Sequence, residues 1–185
     1  MTVKISGPFT KEKLVCLRAG DDVLLSGEIY TARDAAHKRM TEMLKRGEEL
    51  PFDIENSIIY YVGPTPAKPG RPMGSAGPTT SYRMDPYAPM LMEKGQTGMI
   101  GKGPRSEEVI EAIKKNKAVY FAAIGGAGAL MSKKIIRSET VAFEDLGTEA
   151  LRRLTVLDMP VTVAVDSFGN DLYKTGRKKY LEEQK

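Results

Sequence analysis

The chain has 185 residues, of which 41% are hydrophobic and 28% charged, a composition typical of a soluble globular protein with one sizeable core. The formal net charge is +4, but acidic residues are mixed with the basic ones throughout, which argues against a nucleic-acid-binding protein. No apolar run reaches the roughly 18 residues of a transmembrane helix. The first residues also lack the apolar stretch of a signal peptide, so we expect a cytoplasmic protein.

The N-terminal third predicts short strands and one helix. Val23–Leu25 is a short apolar run with the character of a strand. A helix is predicted from about Thr31 to Arg46, because Thr31 can cap it, Asp34 falls in its first turn and Gly47 can end it. The segment 57–62 (SIIYYV) predicts a buried strand that leads directly into a long loop.

The stretch from Gly63 to Gly103 is the most unusual part of the sequence. It contains eight of the 18 glycines and seven of the 11 prolines. Loops longer than about 12–15 residues are uncommon in compact domains and are usually functional or disordered. This stretch lacks the repetitive polar sequence of disordered segments, and its prolines stiffen it. We therefore predict a rigid loop that surrounds a small anion site.

The second half alternates predicted helices and strands, which favours an α/β domain. Ser106 can cap a helix that runs to about Lys115, with Val109, Ile110 and Ile113 as its apolar stripe. Residues 118–124 (AVYFAAI) predict a buried strand and residues 161–165 (VTVAV) predict the last one, which is followed by a turn at 167–170. A further helix is predicted from Thr148 to about Leu154, and the residues after about Gly169 are predicted to form a surface tail.

Cysteine and histidine are too rare for this chain to build a metal site alone. Cys16 is the only cysteine, so an internal disulfide is impossible and an iron–sulfur cluster lacks ligands. His37 is the only histidine, which leaves no zinc constellation. If the chain takes part in metal chemistry, most of the ligands must come from another chain or domain.

Arg33 is the first candidate binding residue. On a helical projection it lies in the apolar arc of the first predicted helix, with His37 at the edge of that arc. A guanidinium that points toward a core is costly without an anion. Arg33 could therefore hold a substrate carboxylate in two-pronged fashion, or it could extend from the helix end or pair with a nearby acid.

Thr79, Arg83 and Lys102 are the other candidates. Thr79, together with Thr80 and Ser81, precedes Arg83 on a turn that begins at a proline, an arrangement that could fix a carboxylate or could be a simple turn. Lys102 lies between two glycines just ahead of the helix capped by Ser106, where anions are favoured. The spacing around Lys102 is not that of a phosphate loop, so this signal is weak.

Two other groups of residues have a structural alternative. Gly125–Gly128 follows a predicted strand and could approach a ligand, but it does not complete a GxGxxG pattern, and packing is the favoured interpretation. The methionines at 84, 90, 92 and 99 could line an adaptable contact surface, or they could fill the core. Tyr82 and Tyr87 could cover the site or pack against a partner.

Several of these segments, taken together, resemble the class I fumarases. They are Gly77–Asp85 (GPTTSYRMD), Gly63–Pro66 (GPTP), Gly95–Gly98 (GQTG), Ile100–Gly103 (IGKG) and Thr31–His37 (TARDAAH). The chain most resembles the separate β subunit of the two-subunit enzymes, which corresponds to the C-terminal domain of the single-chain forms. The β subunits of L(+)-tartrate dehydratases are close relatives. The likeness extends along nearly the whole chain.

The resemblance implies a single swivelling β/β/α-type domain with a mixed sheet and flanking helices, in a hydro-lyase that interconverts fumarate and malate. It implies a 4Fe–4S cluster held by three cysteines of an α subunit and not by this chain. It also implies that Arg33, Arg83 and Lys102 bind substrate carboxylates and that the Thr79 hydroxyl lies near the carbon that gains or loses a proton. An unactivated threonine is a poor base, so an acid from the partner would have to activate it. His37 receives no role.

The sequence thus predicts a fumarase-type β domain over residues 1–170 and a basic tail over residues 171–185. We expect a cysteine-bearing α subunit as partner, an α2β2 assembly with a β–β contact, and a small dicarboxylate as substrate. A tartrate dehydratase β subunit is the first alternative. The second is a non-enzymatic anion- or nucleotide-binding module that uses Gly101–Gly103 and Gly125–Gly128.

Overall fold

The structure, a computed structural model, describes residues 2–183. Its strands are β1 Val3–Ser6, β2 Asp22–Thr31, β3 Ile58–Tyr60, β4 Gly98–Gly101, β5 Val119–Ala122, β6 Ile135–Ala142 and β7 Leu151–Val165. Its helices are α1 Lys11–Leu14, α2 Asp34–Lys45, α3 Ala88–Glu93, α4 Glu107–Asn116, α5 Gly128–Ser132 and α6 Leu172–Glu183. Two further segments, Ser81–Met84 and Glu144–Glu149, are 3-10 helices.

The strands form one mixed sheet that closes on itself. Strands β1 to β5 pair in parallel in chain order, whereas β7 runs antiparallel to β5, β6 and β2. The β2–β7 pairing joins Asp22 to Thr162 at one end and Thr31 to Arg152 at the other, and it turns β2, β3, β4, β5 and β7 into a ring. The long β7 can pair with three strands because it has 15 residues.

Side chains that alternate along the ring strands build two separate cores. Ile58 and Tyr60 on β3, with Val119 and Phe121, belong to a cluster that includes residues of every ring strand. The residues between them point the other way and pack against helices α2, α3 and α4. The first cluster therefore fills the inside of the ring, and the second packs the helices against the outside of the ring. The prediction of an α/β domain with a mixed sheet and flanking helices is confirmed.

Several local predictions are also confirmed. Strands β3 and β5 lie within the predicted segments 57–62 and 118–124. Ser106 caps α4, since its hydroxyl accepts the Val109 N–H at 3.3 Å, and the three residues of the predicted apolar stripe are buried. Gly47, with φ of 73°, follows the end of α2 as predicted. The turn at 167–170 follows β7, as expected.

Three predictions about elements are wrong. Thr31 does not cap a helix, because it is the last residue of β2, and α2 begins at Asp34 after Arg33. The helix predicted from Thr148 to about Leu154 is wrong from Leu151 onward, where β7 begins and is stabilised by its pairing with β2 and β6; Thr148 and Glu149 end a 3-10 helix. The expected long loop 63–103 contains α3 and β4, and only its first part, up to the 3-10 helix, is extended loop.

The residues after Gly169 were expected to form a surface tail. Leu172–Glu183 is helix α6, and residues 184 and 185 lie outside the described residues. The helix is joined to the sheet through Asp171, which bridges to Val165 and is buried. The division between a domain of residues 1–170 and a tail of residues 171–185 stays a prediction.

Candidate functional site

The predicted site residues follow the carboxyl ends of three neighbouring parallel strands. Arg33 comes two residues after β2, the chain after β3 leads to Thr79 and Arg83, and Lys102 comes directly after β4. Strands β2, β3 and β4 are adjacent and parallel, so their carboxyl ends share one edge of the sheet. This edge is where open parallel sheets place their ligand sites.

Main-chain hydrogen bonds fix Thr79 next to Lys102. The Thr79 N–H donates to the Tyr61 carbonyl at 2.7 Å, and the Lys102 N–H approaches the Thr79 carbonyl at 3.3 Å. The Ser81 N–H then donates to the Lys102 carbonyl at 2.9 Å. The Gly77–Asp85 segment is thereby attached along the end of β4, although some 20 residues separate them in the chain.

A second group forms around Asp34. Its carboxylate oxygen Oδ2 lies 2.7 Å from Arg83 Nη2 and 3.9 Å from Arg33 Nη2. Glu149 Oε1 approaches the same Arg33 nitrogen at 3.5 Å. The two arginines thus converge on one carboxylate, which offsets the repulsion between their charges. Because Thr79 and Arg83 belong to one short segment, this group and the Thr79–Lys102 pair lie at the same site.

Arg33 does not lie within a helix, so the helical projection that placed it in an apolar arc does not apply. It is the residue before α2, with φ of −118° and ψ of −162°. The alternative that Arg33 pairs with a nearby acid is confirmed by its contacts with Glu149 and Asp34. Its Nε is buried and has no hydrogen-bond partner among the described residues. Arg33 therefore retains a donor that could serve a ligand.

Gly63 makes room for the Arg33 side chain. A Cβ atom at this position would lie 2.5 Å from Arg33 Nη1 and 3.0 Å from Cδ, closer than real contacts allow. Gly63 begins the segment that follows β3, so the end of this strand forms one wall against the guanidinium. The first glycine of the GPTP segment is therefore needed for the observed position of Arg33.

The site is open to solvent on one side. Lys102 is exposed, the Arg83 side chain is 42% exposed, and Tyr82, next to Arg83 in sequence, is 63% exposed. The cavities found over residues 2–183, of about 310–590 Å³, are lined by other residues. Lys102 and Arg83 are consequently presented on a surface.

His37 supports Arg33 from inside the protein. The buried ring lies with Nδ1 2.9 Å from the Arg33 carbonyl, which can only accept, so Nδ1 carries the proton. Burial, with a smaller contribution from the nearby positive charge of Arg105, lowers the pKa of His37 to about 4. His37 is therefore neutral near pH 7 and is not a group that titrates there.

Sequence analysis did not identify Asp34 or Glu149 as partners of the arginines. Asp34 gave a signal, because it follows Arg33 directly in the sequence. Glu149 gave none, because it lies 114 residues after Ala35 in the chain. In the structure, Glu149 Oε2 accepts the Ala35 N–H at 3.0 Å. Glu149 thus satisfies the start of α2 and contacts Arg33 at the same time.

The glycines after β5 have two different surroundings. Gly125 lies beside the Lys102 side chain, because a Cβ atom added at Gly125 would lie 3.6 Å from Lys102 Cδ. Gly128 packs tightly, because a Cβ there would lie 2.8 Å from the Gly77 nitrogen. The favoured packing interpretation is confirmed for Gly128. The core-filling alternative is likewise confirmed for the buried methionines 84, 92 and 99.

The residues described by the structure offer no cluster of metal ligands. No group of three or more histidine, cysteine, aspartate or glutamate side chains between residues 2 and 183 is arranged to hold a metal ion. Cys16 is exposed, and its Sγ lies 3.1 Å from the Lys13 carbonyl. The donor set of these residues therefore does not fit an iron–sulfur cluster. Over the same part of the chain, no helix is long and apolar enough to cross a membrane.

Comparison with known proteins identifies relatives for nearly the whole chain. The profile of a family described as "Fumarase C-terminus" matches residues 1–176. A protein of Methanocaldococcus jannaschii, provisionally named L(+)-tartrate dehydratase subunit beta, is 41% identical over 180 residues, which cover 94% of this chain and 92% of that protein.

Two enzymes named as fumarate hydratases are similar over much of this chain. Fumarate hydratase 2 of Leishmania major is 39% identical over 88% of this chain. The anaerobic class I fumarate hydratase of Escherichia coli is 40% identical over 81% of it. The aligned regions are only 29% and 28% of those enzymes, so the chain spans less than a third of their length.

Proposed function

The chain belongs to the fumarase C-terminus family, and from that premise we propose that it is the β subunit of a hydro-lyase that reversibly hydrates fumarate to malate. The observation that carries the proposal is that Arg33, Arg83 and Lys102, with Thr79, follow the carboxyl ends of three neighbouring parallel strands. Three cationic side chains on one edge suit a substrate with two carboxylates.

The cations would bind and orient the dicarboxylate. Guanidinium groups match carboxylates in two-pronged fashion, and Lys102, whose side chain lies beside Gly125, adds a compact point charge. Asp34 already neutralises part of the arginine charge, so a substrate carboxylate must share or replace that contact. Fixed positive groups of this kind also stabilise charge that develops on the substrate during proton transfer.

Thr79 is the proposed hydroxyl at the carbon that gains or loses a proton. Its main chain is held on both sides, by Tyr61 and by Lys102, so the side chain starts from a fixed backbone. A threonine hydroxyl is a weak base, and we propose that an acidic group of the partner chain activates it. His37 is not assigned to this step, because it is buried behind Arg33 with a pKa of about 4.

A partner chain would complete the site. Among the described residues there is no ligand set for a metal, and Arg83 and Lys102 face solvent. The fumarate hydratases that this chain resembles are more than three times as long as the matched region. We therefore propose a separate α subunit that carries the 4Fe–4S cluster on its cysteines, in an α2β2 assembly of the cytoplasm. This chain alone would be inactive.

L(+)-tartrate is the second candidate substrate. The relative provisionally named as a tartrate dehydratase β subunit matches this chain along 92% of its own length, as a separate subunit would. Fumarate hydratases are similar at about the same identity, so identity does not choose between the substrates. Relative rates of the assembled enzyme on fumarate, malate and tartrate would distinguish them.

The carboxylate assignment is tested by removing one cation at a time from the assembled enzyme. Replacing Arg83 by Ala should raise KM for the dicarboxylate, since a hydrogen bond to a charged group contributes about 1.5–3 kcal/mol, or roughly 10- to 150-fold in kcat/KM. Arg137→Ala is the matched control, because Arg137 is 71% exposed on β6 and contacts only Glu139 among the ion pairs found. Unchanged turnover and KM in Arg83→Ala would contradict the assignment.

A further inference from the structure

Arg105 carries a buried charge close to the site, and the proposed reaction gives this residue no role. Its side chain is fully buried, and it follows Lys102 by three residues. The guanidinium carbon lies 5.0 Å from the ring centre of Tyr120 and 5.4 Å from that of Tyr61. A charge buried in this way requires a partner, because an unpaired one is strongly destabilising.

Asp85 is that partner, and it links two segments. Arg105 Nε donates to Asp85 Oδ1 at 2.7 Å, and the Ser106 N–H donates to Asp85 Oδ2, also at 2.7 Å. Asp85 ends the segment that carries Thr79 and Arg83, whereas Arg105 and Ser106 belong to the segment that begins with Lys102. Both oxygens of one carboxylate therefore fasten the two substrate-binding segments together.

Tyr120 adds a second fastening, from β5. Its hydroxyl donates to the Gly103 carbonyl at 2.8 Å and lies 2.9 Å from Ser81 Oγ. Because its single proton goes to the carbonyl, Ser81 must donate to Tyr120. The Ser81 oxygen in turn accepts the Lys102 N–H at 3.1 Å. Burial raises the pKa of Tyr120, so the hydroxyl keeps its proton.

We propose that Arg105, Asp85 and Tyr120 form a buried clamp that sets the position of Thr79 and Arg83 relative to Lys102. The three are positioning residues for the substrate-binding groups, and this role rests on the proposed function. The clamp connects the two segments through side chains, behind the face that meets solvent. A misplacement of about 1 Å at a reacting site can cost about 100-fold in rate.

A purely structural role predicts a different outcome from a positioning role. A structural role would lower stability and leave the folded enzyme with normal kinetics. A positioning role would raise KM in an enzyme that is still folded, because the carboxylate-binding cations would no longer match the substrate. Tyr120→Phe separates these outcomes, since it removes one hydroxyl and keeps the ring beside Arg105.

The test uses the assembled enzyme and the full chain. For Tyr120→Phe we expect kcat/KM on the preferred dicarboxylate to fall at least 10-fold, mostly through KM, with Tm lowered by only a few degrees. Arg105→Lys should retain more activity than Arg105→Met, because it keeps the charge. Tyr30→Phe is the matched control, since Tyr30 is a partly buried tyrosine of β2 that packs against Phe52, and no contact with Arg105 or Asp85 is found for it in the described part of the chain.

Amide hydrogen exchange of the full chain gives a readout that is independent of activity. Tyr120→Phe should speed exchange in peptides containing Ser81 and Lys102, and Tyr30→Phe should not. Unchanged exchange, or kcat/KM within twofold of wild type in both Tyr120→Phe and Arg105→Lys, would overturn the clamp. An inactive wild-type complex would instead contradict the proposed function, while the exchange result would still decide whether the clamp exists.

Discussion

Gly63 offers a way to displace Arg33 without altering Arg33 itself. In Gly63→Ala the new Cβ would lie 2.5 Å from Arg33 Nη1 and 3.4 Å from Cζ. The guanidinium is the far end of a flexible side chain, so it should move away while the backbone stays in place. Arg33 would then leave its position beside Glu149 and Asp34, at the carboxyl end of β3.

The expected effect on activity exceeds the effect on stability. Loss of one charge-assisted carboxylate contact corresponds to about 1.5–3 kcal/mol, or roughly a 10- to 150-fold lower kcat/KM. The ion pairs that Arg33 would lose are partly exposed and 3.5 Å or longer, so their loss should change the free energy of unfolding by no more than about 1 kcal/mol.

The assay compares kcat and KM of the assembled enzyme with the urea unfolding of the full chain. Gly77→Ala is the matched control from the same loop, because a Cβ there would meet only the Gly128 Cα at an ordinary 3.7 Å. Gly63→Ala with wild-type KM and kcat would refute the assignment of Arg33 to substrate binding. A loss of activity that follows a loss of folded protein would refute the geometric argument about Gly63.

Three further predictions concern stability. The pKa of His37 in the folded protein, about 4, lies below the value near 6.5 of an unfolded histidine. The free energy of unfolding should therefore fall by up to about 3 kcal/mol as the pH drops from about 6.5 to 4. Urea unfolding of His37→Gln should lack this pH-dependent loss. Ser106→Ala should lower the free energy of unfolding by about 1 kcal/mol through loss of the α4 cap, with Ser132→Ala on the exposed surface as control. Gly101→Ala should destabilise by about 1–3 kcal/mol in the same assay, because its Cβ would overlap Ser81 Oγ and lie 3.0 Å from the Tyr61 ring; wild-type stability would contradict the close approach.

Local signals were enough to predict the elements that depend on local sequence. Ser106 caps its helix through a bond to Val109, three residues away, and the buried runs at β3 and β5 are continuous apolar segments. Local sequence gave a wrong prediction for the start of β7. Leu151 and Leu154 have a helical spacing, but their strand is fixed by pairing with β2, more than 100 residues earlier. Strand β6 gave little signal, since many of its residues are exposed.

The candidate site could be predicted in part, because some of its residues lie in local sequence motifs. Arg33, Thr79, Arg83 and Lys102 were identified from short motifs, and the parallel strand ends explain why they lie along one edge. The acids that hold the arginines could not all be found, because Glu149 contacts Arg33 and Ala35 from a position 114 residues after Ala35 in the chain. Arg105 and Asp85 are ordinary charges in sequence, and only folding buries them together.

The most direct test of the central claim is anaerobic hydration of fumarate, followed by loss of its ultraviolet absorbance. The full chain alone would be compared with the chain co-expressed with a cysteine-bearing α-type subunit from the same genome. We expect activity only in the complex, because this chain supplies carboxylate-binding cations and no metal ligand set among its described residues. Hydration by the chain alone, or a cluster-loaded complex inactive on fumarate, malate and tartrate, would contradict the account.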